Sequence, residues 1–125
     1  MRNAINWFEI PTRDLDRATR FYEQVLDRKL RKEVFAGKPL AIFTGDSQEA
    51  VAGCLLFDAR RQPAAENGIV VYLDASPDLD ACLGRVTAAG GVVVLPRTDL
   101  GDPGFMAVVR DSEGNHVGLH VEKRR

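Results

Sequence analysis

The sequence predicts an α+β fold of two similar modules, each with a strand, a helix and three further strands. Two observations support this prediction. The helix start Asp14-Leu15-Asp16 recurs as Asp78-Leu79-Asp80, each time after a strand-like apolar segment. Three short strand-like segments separated by turn residues then follow each helix. We expect one domain over residues 1–125, with modules at about 1–57 and 69–122 joined by a loop at 58–68.

In the first module, a strand at Ile5–Pro11 precedes a helix at Leu15–Leu26. Asp14 is a suitable N-cap, and Asp16 adds a negative charge to the first turn, where the helix dipole favours it. Apolar residues recur at helical spacing and form one stripe: Leu15, Ala18, Phe21, Tyr22, Val25 and Leu26. The three strands expected after the helix are Leu30–Phe35, Leu40–Thr44 and Val51–Phe57.

The second module repeats this order. A strand at Ile69–Leu73 leads to a helix that starts after Asp78 and ends at Gly90-Gly91. We expect Pro96 to break the next strand, because proline cannot donate a ladder hydrogen bond. The three expected strands are Val92–Leu95, Phe105–Arg110 and His116–Glu122, with a tight turn at Asp111–Asn115 in which Gly114 suits a positive φ.

Composition excludes several classes of function. With 17 Lys and Arg, 18 Asp and Glu, and a net charge of −1, the chain has no basic surface for nucleic acid. No segment is long and apolar enough to cross a membrane, and the N-terminus lacks the apolar core of a secretory signal. Cys54 and Cys82 fall on apolar sides of predicted elements, which indicates two buried free thiols. We therefore expect a cytoplasmic protein.

Five segments resemble the vicinal oxygen chelate superfamily: Trp7–Pro11, Asp14–Ala18, Phe21-Tyr22, Ala88–Gly91 and Asp111–Asn115. This superfamily includes glyoxalase I, extradiol dioxygenases, fosfomycin-resistance enzymes and bleomycin-resistance proteins. The resemblance implies two βαβββ modules that close around a cavity, and it favours a homodimer.

The resemblance also implies where a metal would bind. In metal-dependent members, His, Gln or Glu ligands come from the first and last strand of each module. Those positions fall on Trp7, Gly53, Ile69 and Gly118, none of which has a side chain that binds a metal. Shifting the doubtful positions by one residue reaches only Ala52, Cys54, Gly68 and Val70. We therefore expect no metal and no cofactor, with Gly53 and Gly118 as equivalent residues of the two modules.

Strand alternation places Trp7, Glu9, His116 and His120 on the cavity side, together with Gly118. These four side chains are the candidate ligand-binding residues. Glu9 and His120 are also candidates for a general acid/base pair. The alternatives are a structural ion pair for Glu9, histidines at the cavity rim, and a Trp7 that fills the core instead of stacking on a ligand.

A displaced metal site is a further alternative. Residues four apart on a strand are about 13 Å apart, so His116 and His120 cannot share one ion. Such a site would need Glu9, one of these histidines and donors from elsewhere in the chain.

Three functions are compatible with these residues. The first is a metal-independent small-molecule-binding protein, similar to the drug-sequestering members of the superfamily and forming a homodimer. The second is a lyase, isomerase or dioxygenase with an altered divalent-metal site or a Glu/His acid–base pair. The third is a structural or regulatory partner domain. The loops 58–68 and Leu100–Gly104 either cover the cavity mouth or are ordinary surface loops.

Overall fold

The computed structural model describes residues 5–47, 50–64 and 69–123. It confirms the predicted α+β fold of two βαβββ modules. The first module contains β1 (Trp7–Pro11), α1 (Leu15–Leu26), β2 (Arg31–Phe35), β3 (Lys38–Phe43) and β4 (Ala52–Leu56). The second contains β5 (Tyr72–Asp74), α2 (Leu79–Val86), β6 (Val92–Asp99), β7 (Phe105–Arg110) and β8 (His116–Val121).

Each module forms its own four-stranded sheet, with strand orders β1-β4-β3-β2 and β5-β8-β7-β6. The first and last strands of a module pair in parallel, and the other neighbours are antiparallel. Each helix packs on one face of its own sheet. The opposite face of each sheet, which we call the open face, carries the candidate site residues.

Local sequence sets the helix starts as predicted, but α2 ends at Val86, before the predicted end at Gly90-Gly91, and residues 87–90 form turns. The carboxylates of Asp14 and Asp78 accept hydrogen bonds from the backbone N–H groups of Arg17 and Ala81, at 3.0 and 3.1 Å. Helix α1 therefore begins at its predicted residue. After α2, the chain turns into β6 through Gly90, which has a φ of 102°.

Two expectations about the strands are wrong. The strand expected at Ile69–Leu73 begins only at Tyr72 and ends at Asp74. Strand β6 does not end before Pro96 but continues through it to Asp99. Because β6 is the edge strand of its sheet, the missing N–H of Pro96 needs no partner on the outer side. The register shifts between Val93 and Leu95 and again between Leu95 and Thr98, which accommodates the proline.

The two modules share one hydrophobic core. Residues of α1, β1 and β4 belong to the same buried cluster as residues of α2, β7 and β8. Helices α1 and α2 are in contact. The guanidinium of Arg85 donates to the carbonyl oxygens of Gln24 and Val25 at 2.8–3.1 Å, which satisfies acceptors at the end of α1.

A buried polar turn also holds the modules together. Within the turn, the Asp111 carboxylate accepts hydrogen bonds from the N–H groups of Glu113 and Asn115, both at 2.8 Å. Its other oxygen accepts from the Tyr22 hydroxyl of α1 at 2.6 Å. Asn115 donates to the Pro11 carbonyl at 2.9 Å. The predicted turn at Asp111–Asn115, in which Gly114 has a φ of 99°, therefore connects the two modules through hydrogen bonds.

Both cysteines are buried free thiols, as predicted. Neither helix in the described part of the chain has the length and hydropathy that crossing a membrane requires.

Candidate functional site

The strand registers define which side chains share the open faces. In the first module, Glu9 on β1 lies beside Cys54 on β4, and Trp7 lies beside Ala52. In the second module, Tyr72 on β5 lies beside Gly118, and Asp74 lies beside His120. Phe8, Ile10, Leu73 and Leu119 face the helices and join the core.

The expected equivalence of Gly53 and Gly118 is wrong. The N–H of Thr12 donates to the Leu56 carbonyl, and that of Ala75 donates to the His120 carbonyl, both at 2.8 Å. Leu56 and His120 therefore occupy equivalent positions, so Gly118 corresponds to Cys54. Gly53 lies one residue away and faces the helix side, where the Phe8 ring fills its space. A shift of one residue on a strand reverses the face.

Three of the four predicted site residues meet in one cavity. Trp7, Glu9 and His116 line a cavity of about 410 Å³ between β1 and β8, which we call the Trp7 cavity. Trp7 is 43% exposed, so it lies on the cavity wall and does not fill the core. Apolar residues form most of the remaining wall: Ile5, Phe8, Ile10, Pro11, Ala64, Ile69, Val71 and Val117.

Glu9 has a cationic partner that the sequence did not reveal. An Nη atom of Arg61 donates to its carboxylate at 2.8 Å, and both side chains are partly exposed. Exposed pairs of this kind contribute little to stability, so the pair can open at small cost. Arg61 lies in a loop without periodicity, 52 residues from Glu9, where no sequence pattern indicates a partner.

His116 has an unused hydrogen-bonding atom. Among the residues that the structure describes, its buried Nε2 is the one buried side-chain N or O atom without a hydrogen-bond partner. The other uncharged polar side chains in the cavity wall already have hydrogen-bond partners. Gln62 donates to the Ala59 carbonyl, and Asn115 donates to Pro11 and Asp111. A buried polar atom left unpaired costs about 1–3 kcal/mol, which favours a ligand group that pairs with it.

His120 lies elsewhere. It lines a separate cavity of about 360 Å³ with Tyr72, Asp74 and Glu122. Its Nε2 is 2.6 Å from the carbonyl oxygen of Pro103, and because a carbonyl only accepts, this nitrogen is the donor. The neighbouring carboxylate is Asp74, while Glu9 lines the Trp7 cavity. An acid–base role for Glu9 and His120 stays a prediction.

The residues present do not fit the metal site that the resemblance implies. Ile69 is 93% exposed and precedes β5, and the alternative position Gly68 lies outside the described residues. On the open face, Cys54 occupies the position equivalent to Gly118. Burial, and secondarily the nearby Glu9 charge, raises the pKa of its thiol to about 11, so it is not a thiolate at neutral pH. Within residues 5–47, 50–64 and 69–123, no three His, Cys, Asp or Glu side chains are grouped so that they could hold an ion.

The loops expected at the cavity mouth differ in position. Of the loop 58–68, residues 65–68 lie outside the described part, while Arg61, Gln62 and Ala64 reach the Trp7 cavity. The loop Leu100–Gly104 contacts His120 through Pro103, beside the smaller cavity.

A third and larger cavity was not indicated by any sequence pattern. It has a volume of about 630 Å³ and lies between the end of α1, the β3–β4 connection and β5. We call it the Arg28 cavity, because Arg28 and Lys29 lie in its wall. It shares Ile5, Phe8 and Val71 with the Trp7 cavity.

Comparison with known proteins agrees with this architecture. Residues 4–119 match the family model described as Glyoxalase/Bleomycin resistance protein/Dioxygenase superfamily. A curated relative from Mycobacterium bovis (strain ATCC BAA-935 / AF2122/97), named "Putative glyoxylase CFP32", is 28% identical over 127 residues. The alignment covers 95% of this chain but 46% of that protein, so the chain spans about half the length of the curated relatives it matches.

Solved structures show the same fold. A glyoxalase/bleomycin resistance protein from Albidiferax ferrireducens T118 is 20% identical with a TM-score of 0.71, and the match covers 97% of this chain and all of that one. TnmS3, an antibiotic binding protein from Streptomyces sp. CB03234, is 20% identical with a TM-score of 0.68, covering 97% of both chains. At these identities the likeness concerns the fold alone.

Proposed function

Because the chain belongs to the Glyoxalase/Bleomycin resistance protein/Dioxygenase superfamily, we propose that it binds a small organic molecule without a metal ion. The Trp7 cavity is the proposed site. The observation that carries the proposal is the meeting of Trp7, Glu9 and His116 in one largely apolar cavity. Its volume of about 410 Å³ falls within the range of about 300–1,000 Å³ that is typical of ligand sites.

The proposed ligand is planar and apolar with one hydrogen-bonding group. The Trp7 ring offers a stacking surface at the cavity wall, since 43% of the residue is exposed. The unpaired Nε2 of His116 offers one hydrogen bond. The antibiotic-binding TnmS3 supports this proposal only as a protein of the same fold that carries such a function.

We further propose one domain over 1–125 and a cytoplasmic location. The single hydrophobic cluster that joins both modules supports one domain. The two buried free thiols support a reducing compartment.

Binding is testable with 2-naphthol, a planar ring system with one hydroxyl. We expect saturable quenching of the fluorescence of Trp7, which is the only tryptophan in the chain. Excess EDTA should leave the affinity unchanged. By calorimetry, Trp7→Ala should weaken binding about tenfold, because an aromatic pair contributes about 0.5–1.5 kcal/mol beyond its area burial.

Val94→Ala is the matched control. It removes an apolar side chain that is 45% exposed and lies on β6, outside the Trp7 cavity. Its affinity should equal that of the wild type. Loss of binding in EDTA that zinc or manganese restores would contradict metal independence. Absence of binding by 2-naphthol, or equal affinities of Trp7→Ala and Val94→Ala, would contradict the proposed site and favour a partner domain.

A homodimer is proposed from the outer strands. Strand β2 exposes Val34 and Phe35 by 71% and 73%, and the edge strand β6 also exposes large apolar residues: Val92, Val94 and Leu95. Monomeric proteins usually protect apolar sheet edges. A second copy of the chain would cover these edges.

Light scattering tests the dimer. The wild type should have twice the 13.8 kDa mass of one chain. Phe35→Lys should shift the protein toward monomer, since a charge enters the apolar edge. Gln24→Lys, which adds the same charge on the exposed face of α1, should not. A wild-type mass of 13.8 kDa would overturn the proposal.

A further inference from the structure

The Arg28 cavity has an apolar interior. The rings of Phe8 and Phe43 are 5.5 Å apart in its wall, and the side chains of Leu26, Leu30 and Leu73 continue that surface. The volume of about 630 Å³ is within the range of small-molecule sites. Tyr72, which is 50% exposed, also lines this cavity but not the Trp7 cavity. The interior therefore offers apolar surface that the described chain leaves uncovered.

The wall contains two cations that form no salt bridge with any residue that the structure describes. Arg28 is half-buried and Lys29 is exposed. Among the described residues, no carboxylate lies within salt-bridge distance of either side chain, and neither side chain donates a hydrogen bond. Arg17 and Arg85, in contrast, each have a partner: Arg17 pairs with Glu113, and Arg85 donates to the Val25 carbonyl.

Two carboxylates, Asp46 and Asp74, lie in the same wall, but neither is within salt-bridge distance of Arg28 or Lys29. Burial would raise the pKa of Asp74, but hydrogen bonds from Ser76 and the charge of Arg28 lower it, so Arg28 acts on this carboxylate from a distance. Asp74 accepts a hydrogen bond from the N–H of Ser76 at 2.9 Å and forms no salt bridge with Arg28. Asp46 is exposed on the β3–β4 connection. The cavity thus combines an apolar interior with an arginine and a lysine that follow each other in the chain.

We propose that the Arg28 cavity is a second binding site, for an apolar molecule that carries a carboxylate. The apolar body lies against Phe8 and Phe43, and the carboxylate pairs with Arg28 and Lys29. The planar guanidinium of arginine matches a carboxylate with two parallel hydrogen bonds, and a half-buried position strengthens the pairing. This site shares Phe8 with the Trp7 cavity but contains none of Trp7, Glu9 and His116, and it does not depend on the function proposed there.

Three ten-carbon probes test the charge preference by calorimetry: decanoate, decanol and decylammonium. They share the apolar chain and differ in the head group. We expect decanoate to bind at least tenfold more tightly than decylammonium. The double variant Arg28→Gln/Lys29→Gln should weaken decanoate binding at least tenfold and leave decanol binding unchanged. Raising the salt concentration should weaken decanoate binding to the wild type, because ions screen the partly exposed pair.

Two controls locate the site. Arg20→Gln removes an exposed cation of α1 that does not line the cavity, and should bind decanoate like the wild type. Trp7→Ala should also bind decanoate normally. Amide NMR shifts of the wild-type protein give a test that needs no variant: decanoate should perturb Leu30 and Gly45, which line the Arg28 cavity and not the Trp7 cavity. No saturable decanoate binding, equal affinity for decylammonium, or loss of binding in Trp7→Ala would overturn the proposal.

Discussion

Substitution of Glu113 by glutamine is expected to lower the free energy of unfolding by about 3 kcal/mol at pH 7. The Glu113 side chain is fully buried, and one of its oxygens accepts from the N–H groups of Arg13 and Asp14 at 2.8 and 2.7 Å. The Arg17 guanidinium donates to both oxygens at 2.7 and 3.0 Å. The carboxylate of the second module thus satisfies donors at the start of α1 in the first. An amide of the same size keeps the volume but loses the charge.

The effect depends on pH in a defined direction. Burial alone would raise the pKa of the Glu113 carboxyl, but hydrogen bonds from Arg17, Asp14, Ser112 and Arg13 outweigh it and lower the pKa from 4.5 to about 2. A lowered pKa in the folded state stabilises the protein above pH 4.5, and this contribution is lost as the pH falls through the folded pKa. Wild type and Glu113→Gln should therefore converge in stability between pH 4.5 and about pH 2.

Urea denaturation at several pH values measures this difference. Glu33→Gln serves as the control, because Glu33 lies on the exposed strand β2 and its pair with Arg31 is open to solvent. Its stability should match the wild type to within about 0.5 kcal/mol at every pH. A Glu113→Gln protein as stable as Glu33→Gln at pH 7, or one whose deficit persists unchanged at pH 2, would contradict the role of this carboxylate.

Substitution of Gly53 by alanine is expected to destabilise the fold by about 2–3 kcal/mol, whereas Gly118→Ala should cost less than about 1 kcal/mol. A Cβ atom at Gly53 would overlap the Phe8 ring, which packs on Phe43 and against the core. A Cβ atom at Gly118 would overlap the Tyr72 ring. Tyr72 is 50% exposed, so this ring can swing toward solvent.

Chemical denaturation measures the free energy of unfolding of the two variants and of the wild type. A second substitution, Phe8→Leu, provides a rescue test, since the smaller side chain makes room for the new methyl group. The double variant Gly53→Ala/Phe8→Leu should be more stable than the sum of the single effects predicts. Equal losses of unfolding free energy in Gly53→Ala and Gly118→Ala would show that the two glycines are equivalent after all, as the sequence alignment of the modules implied.

How accurately the sequence predicts each element depends on how far apart in the chain the interacting residues lie. The start of α1 was predicted to the residue, because the N-cap Asp14 and the apolar stripe act within one or two turns. The end of β6 was not, because tolerance of Pro96 depends on β6 being an edge strand, which the local sequence does not specify. The same limit explains the error at Gly53, since a register between strands 45 residues apart sets its face.

For the candidate site, the prediction depended on alternation along single strands. Alternation predicted that Trp7 and Glu9 share one side of β1 and that His116 and His120 share one side of β8, and three of these residues line the Trp7 cavity. It could not show that His120 opens into another cavity, because that depends on how β8 lies beside β5 and the Pro103 loop.

The sequence by itself determined the two βαβββ modules, their helix starts and the absence of metal-binding side chains at the implied positions. These properties depend on residue type and short-range periodicity, which a linear pattern contains. Only the tertiary structure decided that Glu9 pairs with Arg61 and that Arg28 borders an apolar cavity. It also decided that Glu113 of the second module accepts hydrogen bonds from the start of α1 in the first. Each of these contacts joins segments distant in the chain, and packing of the whole core sets their positions.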